Sequence, residues 1–98
     1  MQAFTPSMRQ LPKNVSPYRR TSIFDRDSIP PGLLKAHSTK PGTWGRIVVV
    51  RGELLYRIME PETEEVLLSP RTVGIVEPAV LHEVESIGEV EFYVEFLR

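Results

Sequence analysis

The chain has 98 residues, a formal net charge of −1 at pH 7 and no cysteine. This length suits one small domain, and the near-neutral charge gives no electrostatic footprint for nucleic acid or anionic lipid. Without cysteine, neither disulfides nor cysteine-ligated zinc can form. The longest apolar run, residues 47–50, is too short to span a bilayer, and the N-terminus lacks the apolar core of a signal peptide. We therefore expect a cytoplasmic domain that binds neither nucleic acid nor membranes.

The N-terminal region is interrupted by prolines. Residues 1–17 contain three of them and show no regular apolar pattern, which predicts an arm lying on the surface or on a partner subunit. The folded domain is expected over residues 18–98. It begins with a short strand at 18–24 and a loop at 25–31, after which a Pro-Pro-Gly sequence favours an extended segment at 33–39.

The rest of the chain reads as short strands separated by turns. The predicted strands are 43–50, 53–59, 64–68, 72–76, 82–86 and 90–97. Arg51-Gly52 predicts a hairpin turn between the first two, and Ile87-Gly88-Glu89 predicts a turn between the last two. Apolar residues do not recur at helical spacing over three turns, so no helix is predicted. The fold class is therefore all-β, an antiparallel sandwich or small barrel.

Histidine is the residue type best suited to carry chemistry here, and the chain has two, His37 and His82. In the predicted strand that begins at His82, Glu83 and Glu85 lie on one face, and two adjacent glutamates favour exposure to solvent. His82 lies on the opposite face and is therefore predicted to point inward. The alternation around His37 fits either face. Two imidazoles from separate strands are expected to converge on a divalent metal such as zinc, iron or nickel, or on a small molecule or anion. The alternative is a pair of hydrogen-bonded core histidines.

A metal bound by the two histidines would need a third ligand. Glu95 is the first candidate, and it requires its strand to turn the face that includes Tyr93 into the cavity. The opposite, Val-Phe face of the same strand competes for that position. Glu53 and Glu77 are alternative ligands, and both lie beside predicted turns.

Six further side chains are candidates for lining the pocket. Lys40 and Arg46 either bind an oxyanion or are solvated at strand edges, and Trp44 either stacks on a ligand or packs at a rim. The full set is Thr39, Lys40, Trp44, Arg46, Tyr56 and Tyr93. Neither a glycine-rich phosphate loop nor a Gly-x-Ser-x-Gly nucleophile elbow is present in the sequence.

Three strings of residues resemble a known family. They are His37-Ser38-Thr39-Lys40-Pro41-Gly42-Thr43-Trp44-Gly45-Arg46, Val50-Arg51-Gly52-Glu53-Leu54 and Val76-Glu77-Pro78-Ala79-Val80-Leu81-His82-Glu83-Val84-Glu85. Together they resemble the cupin-like domain at the N-terminus of TehB tellurite-resistance methyltransferases, which also stands alone in small YeaR-like proteins. The resemblance extends from about residue 16 to the C-terminus, and the His-x-Thr-Lys-x-Gly-Thr-Trp-Gly string is its most specific part.

The resemblance implies a cupin-like β-sandwich or barrel of the double-stranded β-helix (jelly-roll) type, with a pocket between two sheets and assembly as a homodimer. His37 matches a histidine of the first cupin motif and His82 the histidine of the second. Thr39 and the Trp44-Gly45 region stand where the family's other histidine and its glutamate would fall. The usual four-ligand set is thus incomplete. No methyl transfer is expected, because the chain lacks a half that would bind the methyl donor.

Three functions are consistent with these observations. The first is a binding or sensing module whose pocket takes a divalent metal or small anion, linked to tellurite or other oxyanion stress. The second is a dimerisation or interaction domain with structural histidines. The third is a small metal-dependent enzyme that adds an oxygen ligand to the two histidines.

Overall fold

Strands make up almost all of the regular structure, which confirms the all-β prediction. The computed structural model describes residues 9–98, and the first part of the predicted arm, residues 1–8, lies outside them. The elements in chain order are β1 (Pro17–Arg20), β2 (Phe24–Asp25), α1 (Pro31–Leu34), β3 (Trp44–Ile58), β4 (Glu64–Leu68), β5 (Gly74–Val76) and β6 (His82–Leu97).

Two long strands, β3 and β6, pair antiparallel along nearly their whole lengths and form the centre of the sheet. The strand order is β1-β6-β3-β4, with β2 added on β6 and β5 on β3. The first half of β3 pairs with β5, and its second half pairs with β4. Each half of the central pair therefore belongs to a different part of the sheet, and both parts bury side chains in one core cluster.

The hairpin predicted at Arg51-Gly52 is wrong, because the chain continues straight through as β3. Register shifts lie between Val49 and Arg51 and between Gly52 and Glu53, as in β-bulges. Gly52 has a φ of +83°, and a Cβ there would lie 2.1 Å from the carbonyl oxygen of Glu89. Glycine is therefore needed for close contact with the neighbouring strand rather than for a chain reversal.

The turn predicted at residues 87–89 is likewise absent, because β6 is continuous from His82 to Leu97. Two other local predictions also differ from the structure. The first two residues of the segment expected to be extended at 33–39 belong to the single helical turn α1, which a proline at its first position favours. The strand expected at 18–24 is divided into β1 and β2, both paired with β6.

The core confirms the predicted apolar face of the last strand. Val90, Phe92 and Val94 are buried, and Phe96 packs against the same cluster. Tyr56, Leu54 and Leu68 from the other half of the sheet are almost completely buried as well; Tyr56 is 1% exposed. Side chains from both halves therefore meet across the inside of the domain.

Backbone hydrogen bonds and ion pairs attach the described part of the predicted arm to the domain. The main chains of Ser16 and Arg98 exchange hydrogen bonds, each 3.1 Å. Closer to the N-terminus, the Arg9 guanidinium forms ion pairs with Glu64 of β4 and with Glu77 after β5. Contact between the arm and a partner subunit stays a prediction.

Among residues 9–98, none of the helical segments has the length and apolar character of a membrane span.

Candidate functional site

A cavity of about 320 Å³ lies on the inner face of the sheet. One part of its lining is apolar and comes mainly from the strands: Ile47, Val76, Val84, Phe92, Val94 and Phe96. The other part is polar and comes from β1, the start of β6 and the segment before β3: Arg19, His37, Ser38, Thr39, Lys40, Thr43 and His82. This size is within the range of small-molecule sites in proteins.

His37 and His82 lie together, as the sequence predicted. Their ring centroids are 4.1 Å apart and the ring planes are tilted by 55°. The main chains also form an isolated antiparallel bridge, with N–H···O distances of 3.0 Å and 2.9 Å. The ring pair is thus positioned by backbone hydrogen bonds between the end of the segment after α1 and the first residue of β6.

Both imidazoles have the same local hydrogen bond. Nδ1 of His37 lies 3.0 Å from the carbonyl oxygen of Lys35, and Nδ1 of His82 lies 2.9 Å from that of Val80. A carbonyl can only accept, so each Nδ1 carries the proton in the neutral ring. Each Nε2 then presents a lone pair, and within residues 9–98 neither Nε2 makes a hydrogen bond. The pair therefore offers two acceptor or ligand atoms to a bound molecule.

His82 is only 4% exposed and favours the neutral form. Burial lowers the pKa of His82, and the neighbouring His37 acts in the same direction, against the hydrogen bond to Val80. The ring of Tyr56 packs edge-on, with centroids 5.9 Å apart. The Tyr56 hydroxyl donates to the carbonyl of Ile75 at 3.0 Å, and burial raises the pKa of Tyr56. Tyr56 therefore supports His82 from the core side.

The segment between His37 and β3 is fixed by a side-chain hydroxyl. Oγ1 of Thr39 donates to the carbonyl of Thr43 at 2.7 Å and accepts from the amide of Ala79 at 3.4 Å. Ala79 lies in the turn just before His82. Thr39 therefore holds the loop of residues 38–43, which carries Lys40, next to the histidine pair.

The polar lining of the cavity is basic. Lys40 is exposed, and the guanidinium of Arg19 lies 5.1 Å from the centroid of the Phe96 ring. In the described part of the chain, no aspartate or glutamate contributes to the lining. Cations and hydroxyls without a neighbouring carboxylate favour an anionic ligand over a cationic one.

The structure brings together only some of the predicted site residues. His37, His82, Thr39 and Lys40 line the cavity. Trp44, Arg46, Tyr93 and Glu95 lie outside the lining, because Gly45, Ile47, Val94 and Phe96 take the inner positions and side chains alternate along a strand. Tyr56 lies beneath the cavity, in the core. Because side chains alternate along β3 and β6, the predicted site residues on these two strands are divided between the inner and the outer face of the sheet.

Glu95, the first candidate for a third metal ligand, forms an ion pair with Arg46 on the outer face. The alternative Glu77 pairs with Arg9. No group of three or more His, Asp or Glu side chains suited to a metal occurs within residues 9–98. Two imidazole nitrogens are fewer protein ligands than zinc has in structural or catalytic sites. A metal at this pair would therefore need further ligands from water or a bound molecule, and metal binding stays a prediction.

Arg19 lines the cavity and is the main site residue that the sequence analysis did not identify. It reaches the cavity because β1 pairs with the end of β6, where Arg19 is opposite Phe96. The same pairing places Arg20 over the Tyr93 ring, 4.5 Å from its centroid, on the other face. The signal in the sequence is that neighbouring residues of a strand point to opposite faces, so one of these two adjacent arginines had to point inward.

Comparison with known proteins identifies relatives for most of the chain. A family described as "TehB-like domain" matches residues 19–94. Two proteins named "Probable S-adenosyl-L-methionine-dependent methyltransferase TehB", from two strains of Haemophilus influenzae, are each 29% identical over 76 residues. These matches cover 74% of this chain but 27% of each relative. The chain therefore spans about a quarter of the length of the curated relatives it matches.

Two crystal structures have a similar fold. TehB from Haemophilus influenzae superposes with a TM-score of 0.80 at 26% identity, covering 87% of this chain and 32% of that one. A protein from Escherichia coli K12 superposes with a TM-score of 0.84 at 23% identity, covering 93% of this chain and 97% of that one. The second structure thus has the same architecture over nearly its entire length.

Proposed function

The chain belongs to the TehB-like domain family, and from this premise we propose that it is a binding module whose cavity takes a small anion. The anion's acid head group would lie against His37 and His82, with Lys40 as the counter-charge. The observation that carries the proposal is the pair of imidazoles with fixed tautomers in a basic, carboxylate-free lining of the described cavity. No methyl transfer is proposed for this chain.

The tautomers favour a particular type of anion. A neutral imidazole with its proton on Nδ1 accepts a hydrogen bond at Nε2 but repels a fully deprotonated oxygen. Oxyanions of weak acids keep one hydroxyl near neutral pH, and that hydroxyl can donate to Nε2. The remaining charged oxygens can accept from the Lys40 ammonium. A singly protonated oxyanion therefore satisfies both kinds of lining group at once.

This chemistry agrees with the tellurite association of the family that the sequence resembles. Tellurite is the anion of a weak acid and keeps a hydroxyl near neutral pH, whereas sulfate does not. We propose tellurite and hydrogen phosphate as representatives of the head group that this site accepts. Sulfate matches the dianion of hydrogen phosphate in size and charge, and it serves as the matched ligand that lacks the hydroxyl.

Isothermal titration calorimetry on untagged protein tests the proposal, with tellurite, phosphate and sulfate as ligands. We expect the first two to bind and sulfate to bind at least roughly tenfold more weakly. Lys40→Gln and His82→Gln should each weaken tellurite binding to a similar extent. Lys35→Gln is the matched control, because Lys35 belongs to the same segment but does not line the cavity. Equal affinities in Lys40→Gln and Lys35→Gln would overturn the assignment.

The same samples test metal binding. Elemental analysis of the protein, followed by titration with zinc, iron and nickel ions, measures how much metal the histidine pair holds. Substoichiometric metal, together with anion binding that persists in the presence of a chelator, supports the anion site. One equivalent of metal that is lost in both His37→Ala and His82→Ala would replace it with a two-histidine metal site.

A further inference from the structure

We infer that the ligand of this cavity is an organic weak acid, in which an aliphatic or aromatic body is attached to the acid head group. The inference rests on the proposed anion site and specifies the class of molecule that the site takes. It is carried by the size of the cavity and by the chemistry of the wall away from the histidines.

The cavity is too large for a bare inorganic oxyanion. An oxyanion of four or five heavy atoms fills about the volume of two water molecules, roughly 60 Å³. The cavity has about 320 Å³, more than twice the roughly 150 Å³ of an apolar protein cavity that accommodates benzene. An inorganic ion at the histidines would therefore leave most of the space to water or empty.

The remaining space is bounded by apolar side chains. Phe92, Val94 and Phe96 project into it from the second half of β6, and Ile47 projects from the paired half of β3. Water against this part of the wall finds few hydrogen-bond partners. A hydrocarbon body removes this wall from water, which is the main source of affinity in small-molecule sites.

Along β6, the cavity lining begins with His82 and Val84 and continues with Phe92, Val94 and Phe96. His82 is the first residue of β6, whereas Val94 and Phe96 lie near its end. At that end, Arg19 stacks on the Phe96 ring, so its apolar stem and guanidinium plane extend the wall while its charge stays accessible. A ligand with an acid head group and an apolar body can contact both the polar lining and this apolar wall, and a small inorganic ion cannot.

A homologous series of ligands tests the inference with the wild-type protein. The probes are methyl-, propyl- and hexylphosphonate together with phenylphosphonate, which carry the same head group and keep one hydroxyl near neutral pH. Each additional buried methylene should lower the Kd roughly fourfold, until the cavity is filled. Hexyl- and phenylphosphonate should then bind far more tightly than tellurite or methylphosphonate. Equal affinities along the series would overturn the inference.

Variants of the wall provide the second test. Val94→Phe narrows the cavity and should reduce the advantage of the longer ligands while leaving methylphosphonate binding in place. Val48→Phe is the matched control, because Val48 pairs on the outer face of the same strands and does not line the cavity. If Val94→Phe does not fold, the smaller change Val84→Leu should shorten the longest ligand that binds well. Unchanged length dependence in a folded wall variant would contradict the inference.

Head-group controls separate this inference from the proposed function. Hexylsulfonate has the same body but no hydroxyl, and 1-hexanol has the body but no charge. If both bind as tightly as hexylphosphonate, the apolar cavity is real and the acid site is not. If tellurite binds through Lys40 and His82 but affinity does not rise with chain length, the anion site is real and the organic body is not.

Discussion

The main chains of His37 and His82 exchange two hydrogen bonds while their rings lie 4.1 Å apart, centroid to centroid. One pair of residues therefore positions the polar end of the cavity and also attaches the loop of residues 38–43 beside it. Because Thr39 connects this loop to the turn before His82, a change in either attachment is expected to move both the histidines and Lys40.

The stability of the protein is expected to fall as the pH drops below about 6.5, the ordinary pKa of histidine. Burial lowers the pKa of His82 in the folded state, so below that pH the unfolded chain binds a proton that the folded chain resists. The contribution is fully present above pH 6.5 and is lost as the pH falls through the lower folded pKa. Urea unfolding from pH 7.5 to pH 5 measures it. His82→Gln should flatten this dependence, and His37→Gln should largely retain it; equal curves for the wild type and His82→Gln would contradict the assignment.

Gly52→Ala is expected to destabilise the domain much more than Gly88→Ala. Both glycines have positive φ, +83° and +67° respectively, which costs an alanine roughly 1–2 kcal/mol. Only at Gly52 would the added Cβ also collide with backbone, at 2.1 Å from the Glu89 oxygen; at Gly88 nothing lies within 4 Å. Thermal unfolding compares the two variants. Similar losses would show that the two central strands separate easily at the bulge.

Tyr56→Phe is expected to cost about 1–3 kcal/mol of unfolding free energy. The substitution removes the buried hydrogen bond to Ile75 while preserving the ring that packs against His82. Tyr93→Phe on the outer face is the matched control and should change stability by less than about 0.5 kcal/mol. Chemical denaturation of the three proteins gives the comparison. A loss as small as that of the control would mean that the Ile75 carbonyl finds another donor.

Thr39→Val is expected to weaken anion binding even though the new side chain has a similar shape. Valine can neither donate to the Thr43 carbonyl nor accept from the Ala79 amide, so the loop that carries Lys40 loses its fixed position. Thr39→Ser keeps the hydroxyl and should restore most of the affinity. Hydrogen exchange of the Ala79 amide provides an independent readout, with faster exchange expected only in Thr39→Val. Identical exchange in both variants would remove the positioning role.

Local patterns in the sequence were sufficient for part of this structure. Glu83 and Glu85 on one face predicted that His82 points inward, and it is buried. The alternation over residues 90–97 predicted the apolar face that now lines the cavity. These predictions succeed because side-chain parity in a strand depends only on the strand itself.

Other predictions failed where a local signal had two physical solutions. Arg51-Gly52 has the composition of a hairpin turn, but the same glycine permits a bulge against Glu89 and Val90. The chain continues because β6 offers a partner along the whole length of β3, and no short window of sequence contains that information. Glu95 was expected beside the histidines, yet it lies on the outer face of β6 and forms an ion pair with Arg46.

The sequence by itself determined the fold class, the family and the inward position of His82, since these depend on composition, motif and alternation within single segments. Only the tertiary structure decided which residues share the cavity. Arg19 enters through β1 pairing, His37 through a backbone bridge, and Trp44 and Glu95 are excluded by the register of β3 on β6. Register between distant strands is fixed by the summed packing of both faces, a property of the assembled sheet rather than of any one segment.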